Sequence, residues 1–311
     1  MKLIPLVQEQ KLQSDIMKLS VSMIVKNESS CLQKCLESVK SADEIVIVDT
    51  GSTDNTVEIA KKYTDMVYSG KDYLWRDDFA YSRNQSLSKC TGDWVLIIDA
   101  DEKLEDNGIQ KCKDAIVANP TVNTIMIEAW SDNMVDYNPS LRLFKRVQTP
   151  EIKWAGRIHN YLTKTGDVNV SIKWLVGYSE AHQKDPDRAL RILRIVCKEN
   201  TKAVREFYYL AREFWYRRDY KLAIYYWEDY LTRAYFGPEM ADAHLMLAYC
   251  YRNIGNVTKA RQECLEAINI NTNFKEALVF MSSLVGPGNS KVWKRWSETA
   301  TNEAVLFVRC P

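Results

Sequence analysis

Residues 95–104 read VLIIDADEKL. Four large aliphatic side chains lead directly into Asp99, Ala100, Asp101 and Glu102. A strand built for a core and ended by three carboxylates is costly, because like charges repel and burial strips their hydration. Such an ending implies either a cation at the strand's tip or acids that face water. The arrangement recurs upstream. EIVIV (44–48) is a continuous β-branched run, as expected of a strand covered on both faces, and Asp49 follows it. LSVSMIV (19–25) reads as a first strand, followed by Asn27 and Glu28. Between these strands, Leu32, Cys35, Leu36 and Val39 recur at helical spacing, with Ser29 or Ser30 able to cap the start. DTGSTDNT (49–56) is turn chemistry in which Thr53 or Asp54 can cap a second helix through Val57 and Ala60. DMVYSG (65–70) reads as a short third strand and FAYSRNQSLSKC (79–90) as a helix.

Strands alternating with helices predict an α/β fold with a parallel sheet covered by helices. Ligands of such sheets bind outside the carboxyl ends of the strands. Three separate stretches therefore deliver Asn27 and Glu28, Asp49, and Asp99 to Glu102 to one edge. Farther on, TIMIEAW (124–130), LRLFK (141–145), IKWAGRIHNYL (152–162) and VNVSIKWLV (168–176) read as strands of a mixed sheet completing a domain over residues 1–183. From 184 to 311 the chain reads as an all-α repeat domain, opened by KDPDR with Pro186 suited to a first helical turn. Leu210, Ala211, Phe214, Ala223 and Trp227 match Leu247, Ala248, Tyr251, Ala260 and Cys264, always 37 residues on. Large, small and aromatic residues at these offsets are tetratricopeptide-like, and about three such units are usually needed for stability, so a continuation into the helix near 275–284 is expected. GPGN (286–289) reads as a break, KVWKRWSETATNEAV as one more helix, and VLFVRCP as an apolar terminal run.

The chain has 311 residues, with 42 basic and 41 acidic side chains for a net charge of +1. That balance argues against nucleic acid as a partner. No apolar run reaches the roughly 18–20 residues that span a bilayer, and the first 18 residues lack a secretory leader's apolar stretch and cleavage site. A cytoplasmic location is the expectation, and the eight scattered cysteines, without a C-x-x-C, are expected as buried free thiols.

Asp99 and Asp101, two apart on an extended chain, point to one side and can hold a hard divalent cation; capping or solvation is the bland alternative. Glu102 reads as a supporting or acceptor-side residue. Asp49 can bind a ribose hydroxyl or a base N–H, or can simply form an Asx turn. Asn27 and Glu28 can line a nucleoside pocket beside it. Arg83, in WRDDFAYSRN, can meet a diphosphate through its planar fork. Of three histidines, His159 can complete a metal site, while His182 and His244 read as structural. Neither G-x-G-x-x-G nor a P-loop is present.

Taken in order, LSVSMIVKNES, EIVIVDTGSTDNT, WRDDFAYSRN, GDWVLIIDADE and LRLFK…WAGRIHN resemble family 2 inverting glycosyltransferases. The resemblance points to the bacterial branch with a helical repeat tail, which includes sublancin-type peptide S-glycosyltransferases. It covers roughly residues 19–180 and, more loosely, the repeats to about 282. It implies a GT-A fold over 1–183, a nucleotide-sugar donor that is usually UDP-linked, and Mn2+ or Mg2+. By position, Glu28 and Asp49 would contact the nucleoside, Arg83 would lie at the nucleotide, Asp99 near ribose or metal, and Asp101 on the metal. His159 would match the family's late histidine. Two positions depart from the pattern: Asn160 stands where many relatives have Glu, and Leu175 and Val176 precede Gly177-Tyr178 where relatives often have His.

The expected chemistry is inverting sugar transfer, with charge on the departing diphosphate stabilised electrostatically and a base deprotonating the acceptor. Asp132 and Asp136, just after TIMIEAW, are the positional candidates for that base. Helical repeats form concave surfaces, so a peptide or protein acceptor is expected beside a glycan, and the repeats can equally form a homodimer. Two rivals remain at this point. A sugar-nucleotide-forming nucleotidyltransferase would need a glycine-rich basic loop where KNESSCLQK stands. A non-catalytic repeat scaffold would not need three acid-bearing strand ends.

Overall fold

The computed structural model describes residues 17–130, 137–146, 152–164, 166–177 and 185–301. Asp132, Asp136, His182, Tyr178 and the terminal VLFVRCP lie outside the described residues. The chain divides into two compact units, Met1–Pro186 and Asp187–Pro311.

The first unit is built on a mixed eight-stranded sheet. Its strands are β1 (Leu19–Val25), β2 (Glu44–Asp49), β3 (Val67–Tyr68), β4 (Trp94–Ile97), β5 (Lys103–Leu104), β6 (Thr124–Trp130), β7 (Tyr137–Lys145) and β10 (Val168–Leu175). They lie in the order β3-β2-β1-β4-β7-β6-β10-β5. The first four run parallel; β7 then pairs antiparallel to both β4 and β6. Strands β8 (Trp154–Ala155) and β9 (Tyr161–Leu162) form a separate two-stranded hairpin. Its helices are α1 (Leu32–Val39), α2 (Thr56–Ala60), α3 (Phe79–Lys89) and α4 (Gly108–Ala118).

The alternation of LSVSMIV explains how helices cover both faces of the sheet. Leu19, Val21, Met23 and Val25 point into a core shared with Leu32, Cys35, Leu36 and Val39 of α1 and Ile109, Cys112 and Ile116 of α4. The small Ser20 and Ser22 point the other way. There Ser22 and Ser86 of α3 share a hydrogen bond of 2.8 Å, so α3 lies close against the strand. Val46, Val95, Ile97 and Phe144 fill the core on a second side. Burying these side chains contributes roughly 1.5–3 kcal/mol each relative to exposure.

Three sequence expectations are corrected here. IKWAGRIHNYL is a hairpin of two short strands, because Gly156 (φ 87°) and His159 (φ 49°) adopt left-handed backbone that a continuous strand excludes. The third strand shrinks to two residues, Val67–Tyr68. GPGN does mark the break between two helices, but the second starts inside it and not at Lys291: Gly286 is its N-cap and Pro287 takes the first turn, where its missing N–H costs nothing.

The second unit holds α5 (Arg188–Glu199), α6 (Val204–Tyr216), α7 (Tyr220–Leu231), α8 (Gly237–Asn253), α9 (Val257–Ile270), α10 (Lys275–Leu284) and α11 (Pro287–Thr299). Helices α6 and α7, α8 and α9, and α10 and α11 pack as pairs. All ten residues of the 37-residue repeat are buried, with Ala211, Ala223, Ala248 and Ala260 fully so. Small residues at these points let paired helices approach.

Candidate active site

Strands β2, β1 and β4 are parallel neighbours, so the loops after them emerge at one end of the sheet. The loop after β1 is laced to the loop after β2. Asn27 sits at φ 58°; its N–H donates to Ser52 Oγ at 2.9 Å, and its Oδ1 accepts from the Thr53 N–H at 2.7 Å. The Glu28 N–H donates to Thr56 Oγ1 at 2.8 Å, and the Ser29 N–H donates to Asp54 Oδ2 at 3.2 Å. Asp54 thus ties two loops together. The Glu28 carboxylate accepts from Cys31 Sγ at 3.3 Å.

Asp49 is 4% exposed, and its carboxylate accepts from the N–H groups of Ser52 (3.1 Å) and Gly51 (3.3 Å). These are the bonds of an Asx turn. Gly51 takes φ 104°, and a Cβ there would lie 3.0 Å from Leu74 Cδ2. The 70s segment is held over this turn by a 3.0 Å bond from the Trp75 N–H to the Thr50 carbonyl.

The turn after β4 is built differently. The Asp99 N–H donates to Glu102 Oε2 at 2.7 Å, and the Glu102 N–H donates back to the Asp99 carbonyl at 3.1 Å. Ala100 is buried beneath the turn, while Asp101 is half-buried. Arg83 Nη2 lies 2.8 Å from Asp99 Oδ1 and 3.0 Å from Oδ2. Arg142 Nη2 reaches Glu102 Oε1 at 3.2 Å, and its Nη1 stands 3.9 Å from Asp99 Oδ2. Two guanidinium charges thereby match those of Asp99 and Glu102. Each arginine also has an aromatic plate: Arg142 stacks on Trp174 at 3.5 Å and Arg83 on Trp154 at 4.8 Å. Such stacking suits the weakly hydrated guanidinium.

Burial sets the electrostatics. It pushes the Glu102 carboxyl up, with Asp99 adding to the rise and the Arg142 guanidinium opposing it and favouring the charged form. Burial, then Glu28, pushes the Cys31 thiol up to about 12, and burial, then Glu102 and Asp99, pushes Cys35 well up. Burial and the neighbouring carboxylates therefore favour the protonated thiol at both positions. Asp101 adds a smaller upward push at the same Cys31 thiol.

His159 follows β8 in a loop pinned to α3. Asn84 of α3 pairs with both backbone groups of Trp154, at 2.9 and 3.0 Å, and the Phe79 N–H donates to the Arg157 carbonyl at 2.9 Å. Among the described residues, Asp99, Asp101 and His159 form no set of three or more side chains that could hold an ion unaided. In this structure Asp99 is paired with Arg83 and faces Arg142. The donor chemistry still fits Mg2+ or Mn2+, since such ions are commonly held by one or two carboxylates plus substrate phosphates. Asp101, half-buried in the same turn, is a candidate for such a carboxylate. Arg83 Nε is buried without a protein partner, a donor left over where an anionic oxygen would be accepted.

Arg142, Trp174, Trp154 and Gly177 acquire their places only through the fold. A Cβ on Gly177 would stand 1.8 Å from the Asp101 carbonyl oxygen, so only glycine allows this approach to the turn.

Residues 20–176 match the sequence profile of glycosyl transferase family 2, and the chain belongs to that family. Residues 208–274 match the tetratricopeptide repeat. The glycosyltransferase SunS of Bacillus subtilis is 33% identical over 155 residues, 47% of this chain and 35% of the relative. A TPR repeat-containing protein of Synechococcus elongatus is 34% identical over 145 residues, 45% of this chain and 34% of the relative. The matched stretch thus spans about a third of the length of these curated relatives. Among solved structures, S. aureus TarS 1-349 in complex with UDP-GlcNAc aligns at 13% identity with a TM-score of 0.48, covering 81% of this chain and 91% of that one, a distant likeness. No described helix is long and apolar enough to cross a membrane.

Proposed function

We propose that the chain is an inverting glycosyltransferase that moves a sugar from a UDP-linked donor to a peptide, protein or glycan acceptor, dependent on Mn2+ or Mg2+. The observation that carries this reading is the arginine-braced acidic turn at the carboxyl end of β4, beside the laced loops after β1 and β2, within a glycosyl transferase family 2 region. Asp101 and the donor's diphosphate would hold the ion, with His159 a further contact. The bound ion supplies charge neutralisation on the departing diphosphate. Arg83, fixed by Asp99 and Trp154, directs its spare Nε donor to an anionic oxygen of the nucleotide. Glu28, Asn27 and Asp49 border the nucleoside. Asp132 or Asp136 takes the acceptor proton as the nucleophile attacks the anomeric carbon from the opposite side.

The test is incubation of the purified chain with a panel of nucleotide sugars and Mn2+, with nucleotide diphosphate release as the signal. Release or transfer with one donor, lost in Asp101→Ala, is the expected result. No release with any donor, by parent and variant alike, contradicts the reading.

A further inference from the structure

The mechanism just described brings Arg142 into contact with neither nucleotide nor sugar, although its side chain is only 13% exposed and makes three separate contacts. Its guanidinium carbon sits over the Trp174 ring, 3.5 Å from the centroid, its Nη2 donates to Glu102 at 3.2 Å and its Nη1 stands 3.9 Å from Asp99. Glu102 in turn accepts the Asp99 N–H at 2.7 Å. A buried cation that grips a buried carboxylate, which itself grips the backbone of an acidic turn, forms a chain of contacts ending at Asp101. The Asp101 carbonyl is also closely approached by Gly177, just beyond β10, the strand that carries Trp174.

We infer that Arg142 is a positioning residue: seated on Trp174, it clamps Glu102 and Asp99 so that the turn presents Asp101 to the diphosphate-bound ion. This rests on the functional reading above and goes beyond it, since Arg142 touches neither nucleotide nor sugar in that reading. Three physical points favour positioning over a contribution to stability alone. First, an ion pair removed from water contributes little net stability beside a well-packed apolar pair of the same volume. Second, the planar fork reaches two carboxylates at once, which a lysine point charge cannot do. Third, groups that orient a metal's ligands tune the ion without touching it.

The experiment uses Arg142→Lys, which keeps a charge beside Glu102 and loses the fork, and the pair Arg142→Met with Glu102→Gln, which removes both buried charges together. Melting temperature, amide hydrogen exchange of the ligand-free chain, and calorimetric binding of UDP with Mn2+ are measured on each. The expected result is a folded Arg142→Lys chain whose Asp99 and Glu102 amides exchange faster. Its affinity for UDP with Mn2+ should fall on the order of 10–100-fold. The double variant should melt near the parent and show the same loss of affinity. A purely structural role predicts instead that affinity returns once stability is restored, and that outcome overturns the inference. So does parental affinity or parental exchange in Arg142→Lys. If the parent binds UDP with Mn2+ in no measurable amount, the functional reading fails. Amide exchange then decides alone: parental exchange in Arg142→Lys overturns the clamp, and faster exchange upholds it.

Discussion

Asp49 ends β2 and Asp99 lies just beyond β4, parallel strands with only β1 between them, and their carboxylates are satisfied in opposite ways. Asp49 closes on its own loop, accepting two backbone N–H groups while 4% exposed. Asp99 closes on distant side chains, Arg83 from α3 and Arg142 from β7. The first arrangement is local and would form wherever DTGS takes this turn. The second exists only when the whole sheet is assembled. An acid held by its own loop keeps a loop in shape; acids held by two buried arginines keep charge in place at a rim where Asp101 lies. On the proposed reading, the β4 turn is the point at which the fold becomes chemistry.

The comparison can be broken most severely at Asp101. Asp101→Ala should lower turnover on the order of 10²–10³-fold without moving the melting temperature, as read by nucleotide release and calorimetry side by side. Gly177→Ala comes next. The new methyl cannot coexist with the Asp101 carbonyl at 1.8 Å, so the turn or the strand end must shift, and a displacement near 1 Å can cost about 10²-fold. Steady-state kcat/KM for the donor measures it.

Asp49→Ala tests the local side of the contrast. Losing the acceptor for two N–H groups in a buried turn should cost about 1–3 kcal/mol of stability, read as a lower urea midpoint. The smallest effect is expected at the other end of β2. Glu44 is buried, which alone would raise its pKa, but Lys18 and Thr91 outweigh burial and hold it below the usual carboxylate range. A lowered folded pKa means that the stabilisation is present above the unfolded value of about 4.3 and is lost as pH falls through the folded one. Glu44→Gln should therefore flatten part of the decline in melting temperature below about pH 4.3, and leave donor binding unchanged.

The legibility of these parts in the sequence follows the range of the interactions. β1, β2 and α1 could be read because their apolar spacing is local, and Leu32, Cys35, Leu36 and Val39 are all fully buried. The 37-residue repeat is likewise a local pattern copied twice. Helix α4 was not legible, since its buried face is carried partly by Cys112 and Ala115, which give weak periodicity. The acids at the strand ends stood out as residue types, but the sequence left open whether Asp49 was a ligand or a turn former, and its two backbone bonds give the turn. Arg142 could not be given a role at all. It is 40 residues from Glu102, and its place depends on β7 pairing antiparallel to β4 with Leu143 opposite Leu96. Register between distant strands is set by the assembled core, and no spacing in the chain records it.

The most direct measurement is anomalous scattering from manganese in crystals of the chain grown with UDP and Mn2+. The account predicts a manganese peak bonded to an Asp101 oxygen and to the diphosphate, with Asp99 still paired to Arg83 and Glu102 to Arg142. A peak ligated by Asp49, or one for which Asp99 has left its arginines to bind the metal in place of Asp101, would contradict it.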